Sequence, residues 1–226
     1  MDSFQQAFSL ILHADKELVQ ILLTTLIMSI FSTGISAGLG IPVGVLLGKH
    51  RFPGRGLLLR LTNTMMGLPP VLAGLLVFIF FRSVGPFGSL HLMFTVPVMV
   101  IAQVLLITPV VIGLSASAAQ NTYNAMQETA FGLRISAPRQ TLLLLRECRG
   151  SFISIILMAF GRSIAEVGAV SLVGGNIQFK TRVMTTAILL EANKGDFSKA
   201  LALGIILMLL ALLVNIPAYT LQEKWK

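Results

Sequence analysis

Two ionisable residues, Arg162 and Glu166, stand inside a run of otherwise apolar side chains, FISIILMAFGRSIAEVGAVSLV. A charge within a membrane is costly unless it is paired or hydrated, so such residues usually mark a site. On a continuous helix their i, i+4 spacing puts them on one face, where they can pair. They either neutralise each other inside a bundle or form part of a gate or relay. A few residues on come Gly174, Gly175 and Asn176, then Thr181 and Arg182. Glycine-rich turns can aim backbone N–H groups at an anion, and the Asn, Thr and Arg side chains add donors. A plain solvent-side turn would have the same composition.

Hydrolytic and metal chemistry find no matching pattern. The nearest string to a phosphate loop, GVLLGKH at 44–50, has the wrong spacing and ends in His. His13, His50 and His91 are scattered, and no Gly-x-Ser-x-Gly elbow occurs. The single cysteine, Cys148, excludes an internal disulfide and reads as a free thiol on the cytoplasmic side. No cofactor is therefore expected on this chain. Its energy must come from another subunit or from an ion gradient.

These residues have to be positioned by membrane helices. Of 226 residues, 55% are hydrophobic and 12% charged, about half the charged share of a soluble protein, ~25%. Mean hydropathy is +0.85. Charge-free or nearly charge-free runs at 18–48, 61–81, 92–114, 151–173 and 200–221 predict five spans, since about 20 apolar residues cross a bilayer. Pro42, amid Gly38, Gly40 and Gly44, predicts a bend late in the first. The apolar piece 183–190 is too short to cross. Residues 1–17 show the spacing of an interfacial amphipathic helix, without the basic start of a secretory signal. The whole chain, 1–226, reads as one membrane domain.

A net charge of +8 could suggest nucleic acid, but the basic residues sit in short loops beside apolar runs, which points to the bilayer instead. One side gathers Lys49, Arg51, Arg55, Arg60, Arg134, Arg139, Arg146, Arg149, Lys224 and Lys226, ten in all. The other gathers six: Lys16, Arg82, Lys180, Arg182, Lys194 and Lys199. The positive-inside rule then predicts an N-terminus outside and a C-terminus in the cytoplasm.

The polar interlude at 121–150, NTYNAMQETAFGLRISAPRQTLLLLRECRG, predicts a cytoplasmic coupling loop spanning about 115–150. Tyr123, Met126, Ala130 and Leu133 fall on one helical face, with Glu128 elsewhere. Ser136 could cap a following helix with Pro138 in its first turn. A short amphipathic helix of this kind suits a partner's groove. It would equally suit a solvated loop.

Glu128-Thr129-Ala130, followed by a basic segment and a membrane helix, resembles the Glu-Ala-Ala loop of ABC importer permeases. The family's Gly six residues after the Glu is Arg134 here, with Gly132 two residues early, and its later Leu-Pro is Arg146-Glu147. The stretches 160–170 (FGRSIAEVGAV), 174–177 (GGNI), 181–188 (TRVMTTAI) and 67–75 (GLPPVLAGL) resemble the molybdate/tungstate branch, closest to tungstate permeases. The resemblance implies an all-α membrane protein with the type I, molybdate permease-like fold of about five transmembrane helices. It implies a homodimer in a prokaryotic inner or plasma membrane with the path at its centre. Two copies of a cytoplasmic ATPase would bind ATP and Mg²⁺, and an extracytoplasmic binding protein would deliver the oxyanion: tungstate first, then molybdate or sulfate. Tyr123, Met126, Glu128, Thr129, Ala130, Gly132 and Leu133 would couple to the ATPase. Arg162, Glu166, Gly174, Gly175, Asn176, Thr181 and Arg182 would line or gate the path. The rival readings are an ion-gradient-driven secondary transporter coupled through Arg162 and Glu166, which 226 residues leave little room for, and an intramembrane enzyme.

Overall fold

The computed structural model describes residues 16–223, apart from the side chains at 217–219 and 221–223. All but the last two residues of the amphipathic helix expected over 1–17 therefore lie outside the described residues. Nine α-helices follow one another among those described: α1 Lys16–Lys49, α2 Arg55–Met66, α3 Pro70–Phe81, α4 Val96–Gly132, α5 Ala137–Glu147, α6 Arg149–Ile164, α7 Gly168–Gly174, α8 Met184–Asn193 and α9 Phe197–Glu223. Three of them, α1, α4 and α9, are long and apolar enough to cross a membrane alone. The bent pairs α2–α3 and α6–α7 bring the number of spans to as many as five.

The two longest helices form the axis. α1 has 34 residues and α4 has 37, so at 1.5 Å per residue each reaches ~50 Å, well beyond a ~30 Å hydrocarbon layer. They run parallel in close contact. A Cβ added at Gly40 would lie 2.8 Å from Val111, at Gly44 2.6 Å from Ser115, and at Gly48 2.8 Å from Ala119. Three missing side chains at four-residue spacing thus let the backbones approach, which is how membrane helices associate when lipid is as apolar as the partner. N-terminal to the glycines the same face carries Thr25, Ser29, Ser32 and Ser36, all buried. Ser36 Oγ accepts from Thr108 (3.2 Å) and Ser32 Oγ lies 2.9 Å from Ser163 Oγ on α6. The helix continues through Pro42, where the sequence predicts a bend. On either side of Pro42, Gly40 and Gly44 pack closely on α4.

Two predicted spans are broken. The run 61–81 divides at Gly67–Pro69, and α2 and α3 meet at 101°. Pro69 and Pro70 supply no N–H to the preceding turn, and each drives the residue before it out of helical conformation. Pro70 then starts α3, where a missing donor costs nothing. The run 151–173 divides after Ile164, with a 56° bend between α6 and α7. The short pieces after the breaks pack on each other: Gly74 of α3 meets Ala169 of α7, and Val71 meets Gly168. The helix of the third predicted span continues past residue 114 to Gly132, and most of the expected loop is helical, in α4 and α5.

Candidate functional site

At one end of the bundle, α4 runs out as an exposed helix and stops at Gly132. Arg134 takes a left-handed conformation (φ 52°). Ile135 N–H donates to Ala130 C=O (3.0 Å) and Leu133 N–H to Thr129 C=O (3.0 Å), closing the helix end. After this turn Ser136 precedes α5, with Pro138 in its first turn as expected, though the Ser136 side chain makes no capping bond. α5 buries one side chain, Leu144, and leaves Leu142 and Leu145 exposed.

Of the residues assigned to coupling, Glu128, Thr129, Gly132 and Leu133 are exposed. Ala130 is buried, and Tyr123 and Met126 are half-buried against the main core. The predicted apolar face therefore divides. Its upper part holds the helix to the protein, and only its lower end stays open. Met126, Ala130 and Leu133 also line an open groove with Ile135, Leu143 and Glu147. The sequence reading omits Phe131, which is 84% exposed at the helix end. A large apolar ring three residues after Glu128 was the available signal. Cys148 is buried beneath this region, its Sγ 3.8 Å from Ala118 O. Burial, with the Glu147 charge adding to it against a Thr122 hydrogen bond, pushes the thiol pKa up. The thiol is free, as expected from sequence, and it is buried.

Midway along the bundle, Arg162 and Glu166 do not pair, contrary to the i, i+4 expectation. Among the described residues neither takes part in an ion pair. The reason is the break: α6 ends at Ile164, so Glu166 lies beyond the helix whose periodicity would have brought it over Arg162. Glu166 Oε1 instead accepts the Ala169 N–H (3.1 Å) at the start of α7. A carboxylate is favoured at that positive end of a helix. The Glu166 carbonyl accepts from Thr185 Oγ1 (2.8 Å), joining α7 to α8. Arg162 remains half-buried on α6.

At the opposite end, the donors expected to face an anion are engaged within the protein. Thr181 is buried; its hydroxyl donates to Gly174 C=O (2.6 Å) and accepts from Ile177 N–H (3.0 Å). Asn176 donates to Thr186 C=O (3.4 Å) and accepts from Arg182 Nε (3.3 Å). Arg182 Nη1 lies 2.6 Å from Glu17 Oε1 on α1. Gly174 packs on Met99, and Gly175, with φ 70°, meets the Phe94 ring. Nearby, Glu191 is held by Lys194 (3.0 Å) and Lys199 (3.3 Å). Its burial opposes ionisation, but the two lysines outweigh it and bring its pKa below the ordinary carboxylate value.

Long parallel helices, two broken spans side by side and an exposed helical hairpin on one end together describe a membrane permease subunit. The chain belongs to the family described as the binding-protein-dependent transport system inner membrane component, which matches residues 40–226. Over 223 residues it is 33% identical to the tungstate uptake system permease protein TupB of Peptoclostridium acidaminophilum, covering 99% of this chain and 98% of that one. A probable anion ABC transporter permease protein of Haloferax volcanii is 38% identical over 203 residues, 88% of each chain. The sulfate transport system permease protein CysW of Escherichia coli is more distant, 28% identical over 224 residues, covering 94% of this chain and 77% of that one.

Proposed function

We propose that this permease subunit admits a tetrahedral oxyanion, tungstate ahead of molybdate and both ahead of sulfate. The carrying observation is the near full-length likeness to the tungstate uptake permease, stronger than that to the sulfate permease. In this reading the subunit hydrolyses no ATP. Two copies assemble around a central path, two ATPase subunits bind ATP and Mg²⁺ on the cytoplasmic face, and a binding protein delivers the anion from outside. The N-terminus is outside and the C-terminus in the cytoplasm, so K194C is labelled from outside intact cells and H50C is not; the reverse pattern overturns the orientation.

The ATPase docks on the exposed end of α4 and on α5, with Glu128, Thr129, Gly132 and Leu133 as its contacts, while Tyr123, Met126 and Ala130 set the helix that presents them. The path passes the paired breaks, where discontinuous membrane helices commonly place transport sites. Arg162, half-buried and without a counter-ion among the described residues, is the cation best suited to meet a dianion there. Glu166, Gly174, Gly175, Asn176, Thr181 and Arg182 shape the path from behind through the bonds described above. The ion-gradient alternative loses its coupling pair, since Arg162 and Glu166 are apart.

The test is uptake and ATP hydrolysis by the complete complex in proteoliposomes, with its binding protein and each anion in turn. Tungstate is expected to stimulate both most strongly. Stronger stimulation by sulfate, or uptake without ATP, overturns the reading.

A further inference from the structure

We propose that Lys49 is the positioning residue that makes α1 move with the ATPase-facing helix α5. The proposal rests on the importer reading above and assigns a mechanical role within it.

Lys49 is the last residue of α1 and is buried, 9% exposed. Its ammonium donates to the Ala137 carbonyl (3.1 Å) and to the Thr141 hydroxyl, both on the first turns of α5. Thr141 Oγ1 itself donates to the same carbonyl (3.1 Å), so the three groups close on one another. Stability does not explain this arrangement. Among the described residues Lys49 has no carboxylate partner, and burying an ammonium without one is costly. It also lies at the N-terminal end of α5, where the helix dipole disfavours a cation. A neutral, apolar side chain of the same length would fill this place more cheaply. What the lysine adds is a directed polar link between α5 and α1.

That link matters because of what each helix is attached to. α5 buries only Leu144, so little else holds it, and a partner pressing on it can shift it. α1 is the opposite case. It is unbroken from Lys16 to Lys49 and seated along α4 by Gly40, Gly44 and Gly48. Its far end is tied to the outward segment three times. Glu17 pairs with Arg182 (2.6 Å), Gln20 Nε2 donates to the Phe179 carbonyl, and Thr25 Oγ1 accepts from Met184 N–H (2.9 Å). Displacement of α5 is therefore passed by Lys49 to a rod whose other end holds the turn before α8.

The experiment uses the complete complex in proteoliposomes and reads anions moved per ATP hydrolysed. K49M keeps the length and packing but removes the donors. The ratio is expected to fall roughly tenfold, within the range of a typical site-to-site coupling, while the ATPase still co-purifies. K49R, which retains donors, is expected to recover most of the ratio. T141V, which removes one acceptor, is expected to lower it less. Spin labels at H50C and R139C, with Cys148 replaced, are expected to keep their separation through the nucleotide cycle when Lys49 is present and to part in K49M. Uptake and hydrolysis that fall in parallel in K49M, or both stay unchanged, overturn the proposal, as does a label distance that changes with Lys49 in place. Should K49M fail to assemble, an unchanged ratio in T141V overturns it equally. An unaltered complex without tungstate-stimulated uptake defeats the importer reading first. A working one whose K49M variant keeps its ratio defeats this proposal alone.

Discussion

The two ends of the bundle treat their polar groups in opposite ways. At the end that carries α8, Arg182 is bound to Glu17 and Asn176, Glu191 to Lys194 and Lys199, and Thr181 to two backbone groups of its own turn. At the end that carries α5, Glu128, Arg134, Arg139 and Arg146 are exposed and, among the described residues, make no ion pair. The same end exposes Phe131, Leu133 and Leu142. The groups named at the first end have completed their bonds within the protomer, whereas the four charged ones at the other have not, although Lys49 and Arg55 beside them are bonded internally. The contrast teaches that residue type alone does not locate a binding surface. An Arg, an Asn and a Thr near a glycine pair look like a ligand mouth in sequence, yet here they build the turn that carries them.

The largest effect is expected where the open end is most exposed. Phe131 is 84% exposed, so F131D removes no internal packing and the isolated subunit should melt at an unchanged temperature. If this end receives the ATPase, a buried aromatic anchor typically contributes 2 kcal/mol or more, and affinity should fall about 30-fold. Titration of the ATPase subunit onto the purified variant measures it. Unchanged affinity would mean that the open end is not where the partner sits, and the contrast between the ends would lose its meaning.

A middle-sized effect tests the closed end. If Arg182 is structural, R182Q and E17Q should destabilise by similar amounts and the double variant by little more. The coupling energy expected for a partly buried charged hydrogen bond is about 1 kcal/mol. Uptake should fall no further than the loss of folded protein explains. Slowed uptake by R182Q at intact stability would return this residue to the path and make the two ends alike.

Why some of this was legible in sequence and some was not follows from what each signal measures. The spans show as charge-free runs because burial in lipid is a composition rule, and all five runs do carry helices. The breaks within two of them are invisible to hydropathy, which scores side chains and ignores backbone donors. Pro69-Pro70 announced the first break in plain view, through its missing N–H groups. The second had no such flag, for Ala165, Glu166 and Val167 are ordinary helical neighbours. It is fixed by a local bond from Ala169 N–H to the Glu166 carboxylate and by a tertiary one from Thr185 to the Glu166 carbonyl. The expected Arg162–Glu166 pair failed with it, since periodicity holds only along one helix. The spacing at 121–133 predicts an amphipathic helix but leaves a solvated loop equally open, because water-facing helix and loop share a composition; the helix is what forms, as the end of α4. The stripe Thr25, Ser29, Ser32, Ser36, Gly40, Gly44 and Gly48 was present at near four-residue spacing, but only its glycines drew notice, as a bend. Its part from Ser36 to Gly48 proved to be the seam with α4, while Ser32 bonds to α6 and Thr25 to α8.

The smallest effect concerns Arg134, where the open end carries backbone strain. Its φ of 52° is the left-handed conformation that follows many helix ends and that glycine adopts freely. An L-residue there costs roughly 1–2 kcal/mol, partly returned because glycine is more disordered when unfolded. R134G should therefore stabilise the isolated subunit by about 0.5–1 kcal/mol, and R134A, which keeps the Cβ, should not. The two hydrogen bonds that close this turn, Ile135 to Ala130 and Arg134 to Phe131, use backbone atoms and survive either change. The strain is then a cost borne for the guanidinium, which points into solvent at the end already marked by Glu128 and Phe131. On that argument R134G melts a few degrees higher yet binds the ATPase more weakly than the unaltered chain, and R134A binds weakly without the gain in melting temperature. A variant that gains stability and loses nothing in binding would show the arginine to be idle, and would narrow the partner-facing surface to the acidic and apolar residues before it.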